Sequence, residues 1–574
     1  MRTLICPLVR RLLRSPLFWI LAFAALMRVT GLFWGLPHAD GWDDDGFAPR
    51  NFLTALALTW APGSYFTYPP LHAFVLLPLT LPGAALALAQ APSLSQADVI
   101  AAITQPFYMT WFSLAARLVS LAMSLGIIWT MGRMAELVAD RRAGLLAAAA
   151  CALGVGLTYY GQVSNLDVPY LFWSSLALLA LMRAMVERQT RWLWQAALLA
   201  AAAIATKDQA YAVFALSLPL ALLLWFAADA WPRAQARRVL TTLGGAALLA
   251  GLLLLLVDGA LTNPSGFAKR IAFLAGPASH DYAAYVAGPS GWWALLGDMA
   301  AHFGQGSGAG VLMLAALGVA WRLRDRRDAA RWVAGLLPLL AIVSFTLCFN
   351  FAALRSDDRF LLPQGVFASV YVGIAAARLL EFALARRPAP AWRSVQAALA
   401  VLALFAAYAC AAVPAAMGND PRYDAEAWMR AHIRPGGSIE TYGQNFYLPR
   451  FPEQARVSRV GQGALKVRNP LPNVMEVLAP FEAVEQRRPR YILVADRWAR
   501  RYLAADTQPG PGRVHPENQK GWFAETGARA YFAALYAGRM PYRQVDAAAP
   551  RRAFWDEGHI HESLNETVRI FERA

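Results

Sequence analysis

In a chain of 574 residues, 57% are hydrophobic and 16% charged, the mean hydropathy is positive and the formal charge is +16. So apolar a composition excludes an ordinary soluble domain and places most of the chain in lipid. It also argues against a nucleic-acid binder, because the arginines fall in short clusters between apolar runs and not on one aromatic-laced basic face.

Arg2, Arg10, Arg11 and Arg14 precede a first apolar run beginning at Pro16. The run is long enough to span and no small-residue cleavage site follows it, so it reads as a retained anchor. Further runs of spanning length begin near Phe107, Ala143, Leu166, Trp192, Tyr211, Val239, Gly308, Trp332, Phe360 and Val395. At roughly 20 residues per crossing this gives about eleven transmembrane helices. With a cytoplasmic N-terminus, Arg133, Arg141 and Arg142, the Arg183 to Arg191 group, the Arg233 to Arg238 group, the Arg322 to Arg331 group and the Arg386 to Arg393 group all lie inside, as the positive-inside rule asks. The opposite loops hold only Arg50, Lys207, Lys269, Arg270, Arg355 and Arg359.

This scheme requires that Tyr68 to Gln90 not cross fully, since one more crossing would place Arg141 and Arg142 outside. Its prolines at 69, 70, 78 and 82 suit a broken, re-entrant segment covered by protein. Residues 47–60 read as an interfacial helix, and the first outer loop runs over 37–106. Cys6 lies in the basic start and Cys151, Cys348 and Cys410 in apolar runs, so no disulfide framework or metal-ligand spacing is visible.

After Pro414 hydropathy falls. The expected fold is an all-α polytopic membrane bundle over residues 1–416, followed by a small soluble α/β domain over 417–574 on the outer side. That domain should open with a helix at Ala425 to His432, with strands near Ser438 to Tyr442 and Tyr491 to Val494 and a helix from Arg497.

Chemistry concentrates in the outer loops. Asp40, Asp43, Asp44 and Asp45 crowd the string HADGWDDDGFAPRNF. Packed carboxylates raise one another's pKa, which suits a site awaiting a cation, a metal or an acceptor proton, although a solvated acidic turn is the plain alternative. Asp167, at the entrance to the fourth helix, is either a second acid of that site or a helix N-cap. Arg28 and Arg117 lie within apolar helices, where a guanidinium needs a cavity or an acid, and Arg28 is placed to reach the aspartate cluster. Lys207, Lys269, Arg270, Arg355 and Arg359 are fixed outer-side cations of the kind a phosphate headgroup needs, or else side chains snorkelling to lipid. His72, His280 and His302 are weaker candidates.

The ordered motifs FTYPPLHAF, AARLVS, SNLDVPYLFW, ATKDQAY, RFLLP and DPRYDAEAWM, with the acidic loop after GLP, make the chain resemble the C-type membrane glycosyltransferases of the protein O-mannosyltransferase (family 39) and aminoarabinose transferase kind. The resemblance implies a multi-pass bacterial inner-membrane enzyme. It would make an inverting transfer from a polyprenyl-phosphate-linked sugar to a lipid, glycan or protein acceptor, with no nucleotide-binding domain. It further implies that an acid of the first loop is the base, Asp45 first, then Asp43, then Asp44. Arg359, Arg355, Lys207 and Arg270 would meet the lipid phosphate, and Asp167 would be a second acid or divalent-metal ligand; relatives differ in using a metal. Rival readings are a secondary transporter, which predicts inverted repeats not seen here, and a noncatalytic binding protein.

Overall fold

A computed structural model of the chain describes residues 13–38, 42–43, 46–47, 55–228, 231–385, 389–462, 471, 473–503, 509–515, 527–551 and 564–574. Among these, eight helices are long and apolar enough to cross a membrane, or nine if the bent pair Pro289–Gly306 and Ala309–Arg324 counts as one span. Each of the expected starts coincides with a helix, but the count of eleven is not met. Pro16–Val29 and Arg191–Ile204 have only 14 residues, and the run from Ala143 divides into Arg141–Ala152 and Val155–Tyr160.

The re-entrant reading of 68–90 gives way to an unbroken 20-residue helix, Leu71–Gln90, with Pro78 and Pro82 inside it. In an apolar setting the helix remains the arrangement that satisfies the other backbone groups, so two prolines bend the pattern without ending it. Trp111 adds an indole donor to the Leu79 carbonyl between them. Of the expected interfacial helix, residues 55–58 are helical, while 48–54 lie outside the described residues.

Small residues set the bundle's tightest contacts. A Cβ at Gly144 would lie 2.8 Å from the Gly132 carbonyl oxygen, and one at Gly373 would lie 2.4 Å from the Ala147 nitrogen. The Pro106–Val138, Arg141–Ala152 and Asp358–Ala385 helices therefore meet backbone to backbone, as small residues permit in lipid.

Beyond the Ala389–Gly418 helix, the helix Pro421–His432 leads into a six-stranded sheet. Its strands are β1 (Ser438–Thr441), β2 (Arg456–Gly461), β3 (Val474–Leu478), β4 (Tyr491–Ala495), β5 (Tyr542–Ala548) and β6 (Val568–Arg573), in the order β3-β2-β1-β4-β6-β5. The first four are parallel, and β6 runs antiparallel to β4 and β5. Ile492 and Val494 pack with Trp498, Tyr531 and Phe532 on one face, while Tyr491 and Leu493 pack with Ala425 and Met429 on the other. Burial on both faces is why β4 reads as an uninterrupted apolar run.

A buried acid lies just before β6 of this sheet. Glu566 Oε1 accepts the Arg497 amide at 2.9 Å, but Oε2 stands 3.7 Å from the Arg497 guanidinium. Burial pushes Glu566 up to about 7, opposed by its bond to the Arg497 amide and the charge of Arg497. The folded form therefore holds a proton that the unfolded chain releases near its ordinary value of 4.5. Domain stability should fall as pH rises through this window, by at most about 3 kcal/mol. Glu566→Gln should flatten the dependence, read as urea midpoints of the full chain between pH 5 and 8.

Candidate functional site

The acidic loop is anchored at Asp43. Arg117, fully buried in the Pro106–Val138 helix, forms a forked pair with it, Nη2 to Oδ1 at 2.6 Å and Nε to Oδ2 at 3.3 Å. Ser164 donates to Oδ2 from its backbone amide at 2.8 Å and its hydroxyl at 2.5 Å. With both oxygens occupied by four donors, Asp43 is a tie between loop and bundle. Arg117 Nη1 completes the tie by donating to the carbonyls of Leu32 and Trp34. Asp40, Asp44 and Asp45 lie outside the described residues.

Arg28 does not reach this loop. Its guanidinium is spent on the carbonyls of Ala24, Ala152 and Leu157 at 2.9, 3.2 and 3.4 Å, joining three helices. The acid's partner comes instead from the Pro106–Val138 helix, while Arg28 is held by carbonyls of its own helix and of the two short helices around 152–157.

Asp167 and Lys207, 40 positions apart, meet directly: Lys207 Nζ lies 2.7 Å from Asp167 Oδ1, which also accepts from Gln209 Nε2 at 2.9 Å. The N-cap alternative for Asp167 is corrected. Its side chain accepts no helix amide, and Asn165 Oδ1 takes the Asp167 N–H at 2.7 Å. Asp167 Oδ2 is buried without a hydrogen-bond partner among the described residues.

Around this pair the expected cations sort themselves. The buried Phe360 ring gathers three of them: Lys207 Nζ stands 6.0 Å from its centroid, the Arg355 guanidinium 4.6 Å and the Arg359 guanidinium 4.7 Å. Arg355 also pairs with Asp357 at 2.6 Å. Arg270 is different. It is fully buried between Asp258 at 3.1 Å and Asp208 at 3.3 Å, with Phe66 and Phe267 against its guanidinium, so it holds the segment next to Lys207 in place. Lys269 is exposed and turned toward the Gly63 carbonyl, away from the Phe360 cluster. His72 is buried beside Phe47 within Leu71–Gln90, and His280 is exposed at the end of a short helical turn.

The Asp167–Glu187 and Asp358–Ala385 helices begin at this cluster, so their positive N-terminal ends add to the charge of the side chains. Asp358, next to Arg359, lies with His302 on the wall of a cavity of about 210 Å³ lined by Leu146, Leu153, Leu312, Leu362 and Leu402. His302 Nδ1 lies 3.1 Å from Asp358 Oδ1. Phe360 and Asp358 were missed in the sequence because RSDDRFLLP reads as a loop entering a helix; nothing in it signals that its own arginines and the distant Lys207 gather on one aromatic ring.

Asp43 and Asp167 each face a cation, and among the described residues no group of three or more His, Cys, Asp or Glu side chains is placed to hold a divalent metal.

No family model and no curated protein matches the sequence. Among solved structures, the chain is similar to ArnT from Cupriavidus metallidurans bound to undecaprenyl phosphate, at 14% identity and a TM-score of 0.47 over 96% of this chain and 98% of that one. It is similar also to the oligosaccharyltransferase AglB from Archaeoglobus fulgidus in complex with an inhibitory peptide and a dolichol-phosphate, at 13% identity and a TM-score of 0.43 over 97% and 88%. A third is the arabinofuranosyltransferase AftD from Mycobacteria, at 15% identity and a TM-score of 0.40 over 96% of this chain and 41% of that one. The chain is similar along most of its length to glycosyltransferases, at identities that carry over no individual residue.

Proposed function

We propose that the chain is an inverting glycosyltransferase that moves a sugar from a polyprenyl-phosphate carrier to an acceptor on the non-cytoplasmic face of a bacterial inner membrane. The observation that carries this reading is the convergence of Lys207, Arg355 and Arg359 on Phe360, beside an apolar cavity. Fixed cations beside the N-termini of two helices suit a phosphate, and an adjoining apolar cavity suits its isoprenoid chain.

In this mechanism an acceptor hydroxyl attacks the anomeric carbon as the bond from that carbon to the phosphate oxygen breaks. The hydroxyl proton passes to a carboxylate of the acidic loop, with Asp45 first in line because Asp43 is tied to Arg117. Negative charge growing on the departing phosphate is met by Lys207, Arg355 and Arg359. Asp167 holds Lys207 in position at 2.7 Å. A transporter is less well supported, since the intramembrane arginines that suggested one are bonded to carbonyls and to Asp43.

The test is transfer of radiolabelled sugar from polyprenyl-phosphate donors to a membrane extract by the purified chain. Labelled product with release of the lipid phosphate supports the reading. Donor binding without transfer or hydrolysis, for every donor tried, would shift it to transport or binding.

A further inference from the structure

The motif DPRYDAEAWM, which the proposed chemistry does not use, lies against the acidic loop. Its Arg422 is fully buried, grips Asp420 from the same motif with Nε to Oδ1 at 2.8 Å and Nη2 to Oδ2 at 2.5 Å, and donates Nη1 to the Phe446 carbonyl. The guanidinium lies 4.1 Å from the Trp42 ring and 5.2 Å from the Trp34 ring. Both tryptophans belong to the segment that ends in Asp43, and both are bonded to the soluble domain. Trp34 Nε1 donates to Asp420 Oδ2 at 3.0 Å and Trp42 Nε1 to the Leu448 carbonyl at 2.9 Å. The Gly35 amide donates to the Tyr423 hydroxyl at 3.0 Å, and Arg450, itself forked onto Glu426, donates to the Leu36 carbonyl at 3.0 Å. Gly35 is needed here, since at φ +69° a Cβ would lie 2.7 Å from the Trp42 ring.

The acidic loop is therefore gripped from two sides, by Arg117 from the bundle and by Arg422 from the soluble domain. A guanidinium held between an acid and two aromatic faces is a rigid support, because stacking and charge-assisted hydrogen bonds fix its plane together. We infer that the soluble domain is a positioning element for the acidic loop and acts through Arg422 on Trp42. Its bearing on catalysis rests on the proposed transferase reading; its bearing on loop order does not.

The experiment uses the full chain in lipid nanodiscs, as wild type, Arg422→Lys, Trp42→Phe and the control Arg456→Gln, whose side chain is exposed and bonds only within the soluble domain. Trp42→Phe keeps an aromatic face while removing the bond to Leu448, and decides the question alone if Arg422→Lys loosens the whole sheet. Amide exchange over the segment from Leu32 to Asp43 should speed up in both loop variants, with the Pro106–Val138 helix and the control unchanged. In a wild type that transfers sugar, kcat in the loop variants should fall about tenfold or more with KM for the donor held, as a misplaced catalytic loop predicts. Unchanged exchange in Trp42→Phe overturns the inference, and so does faster exchange with an unchanged kcat. A wild type that transfers nothing defeats the functional reading, while the exchange result still decides whether the support exists.

Discussion

Asp45→Asn should transfer sugar about 10²- to 10⁴-fold more slowly than wild type while still binding polyprenyl phosphate, because removing a general base costs that much and leaves the phosphate cations intact. The expectation follows by contrast with Asp43. Its two oxygens receive four hydrogen bonds from Arg117 and Ser164, which leaves it poorly placed to take a proton from an acceptor. Asp43→Asn should fail differently: it leaves a fully buried guanidinium without its charge partner, a loss of about 3–5 kcal/mol. The measurement is the initial transfer rate at equal amounts of folded protein, with melting temperature alongside. A drop in rate at unchanged stability for Asp45→Asn, and a drop in stability for Asp43→Asn, is the predicted pair. Wild-type transfer by Asp45→Asn would remove it from the mechanism.

Lys207→Gln carries the second large effect, and it has two parts. The ammonium supplies one of three charges around Phe360, and losing one such group from a developing anion lowers kcat by about 10²- to 10³-fold. The same ammonium is the charge partner of Asp167, whose other oxygen already lacks a hydrogen-bond partner among the described residues. The variant should therefore also lose stability, by about 3–5 kcal/mol. The double variant Lys207→Gln with Asp167→Asn should recover much of that stability without recovering transfer, since both members of the pair become neutral together. Recovery of transfer in the double variant would show that the lysine only balances Asp167.

What could be read from the sequence follows from the range of each interaction. Apolar runs and the Ala425 to His432 and Tyr491 to Val494 elements are local patterns, and each appears as a helix or strand at nearly those residues. The helix lengths were less legible because Arg191–Ile204 ends just before Lys207 and Arg141–Ala152 is separated from Val155–Tyr160 by a short break. The pairing of Asp167 with Lys207 was half visible: both were singled out, one as an acid and one as a phosphate cation, but a contact across 40 positions has no local signature. Arg270 looked like Lys207 in the sequence and differs only because Asp208 and Asp258 fold onto it. Phe360 carried no signal, since one aromatic at a helix entrance is ordinary until three cations are found around it.

If Lys207, Arg355 and Arg359 hold the phosphate from which the sugar departs, the chemistry at this cluster can be counted. Its most direct measurement is the stoichiometry of polyprenyl phosphate released per sugar transferred by the purified wild type, with Lys207→Gln and the pair Arg355→Gln, Arg359→Gln alongside. One lipid phosphate should be released for each sugar in product, at rates that fall in both variants. Donor that stays intact in the presence of every acceptor fraction, or rates that ignore both variants, would contradict it.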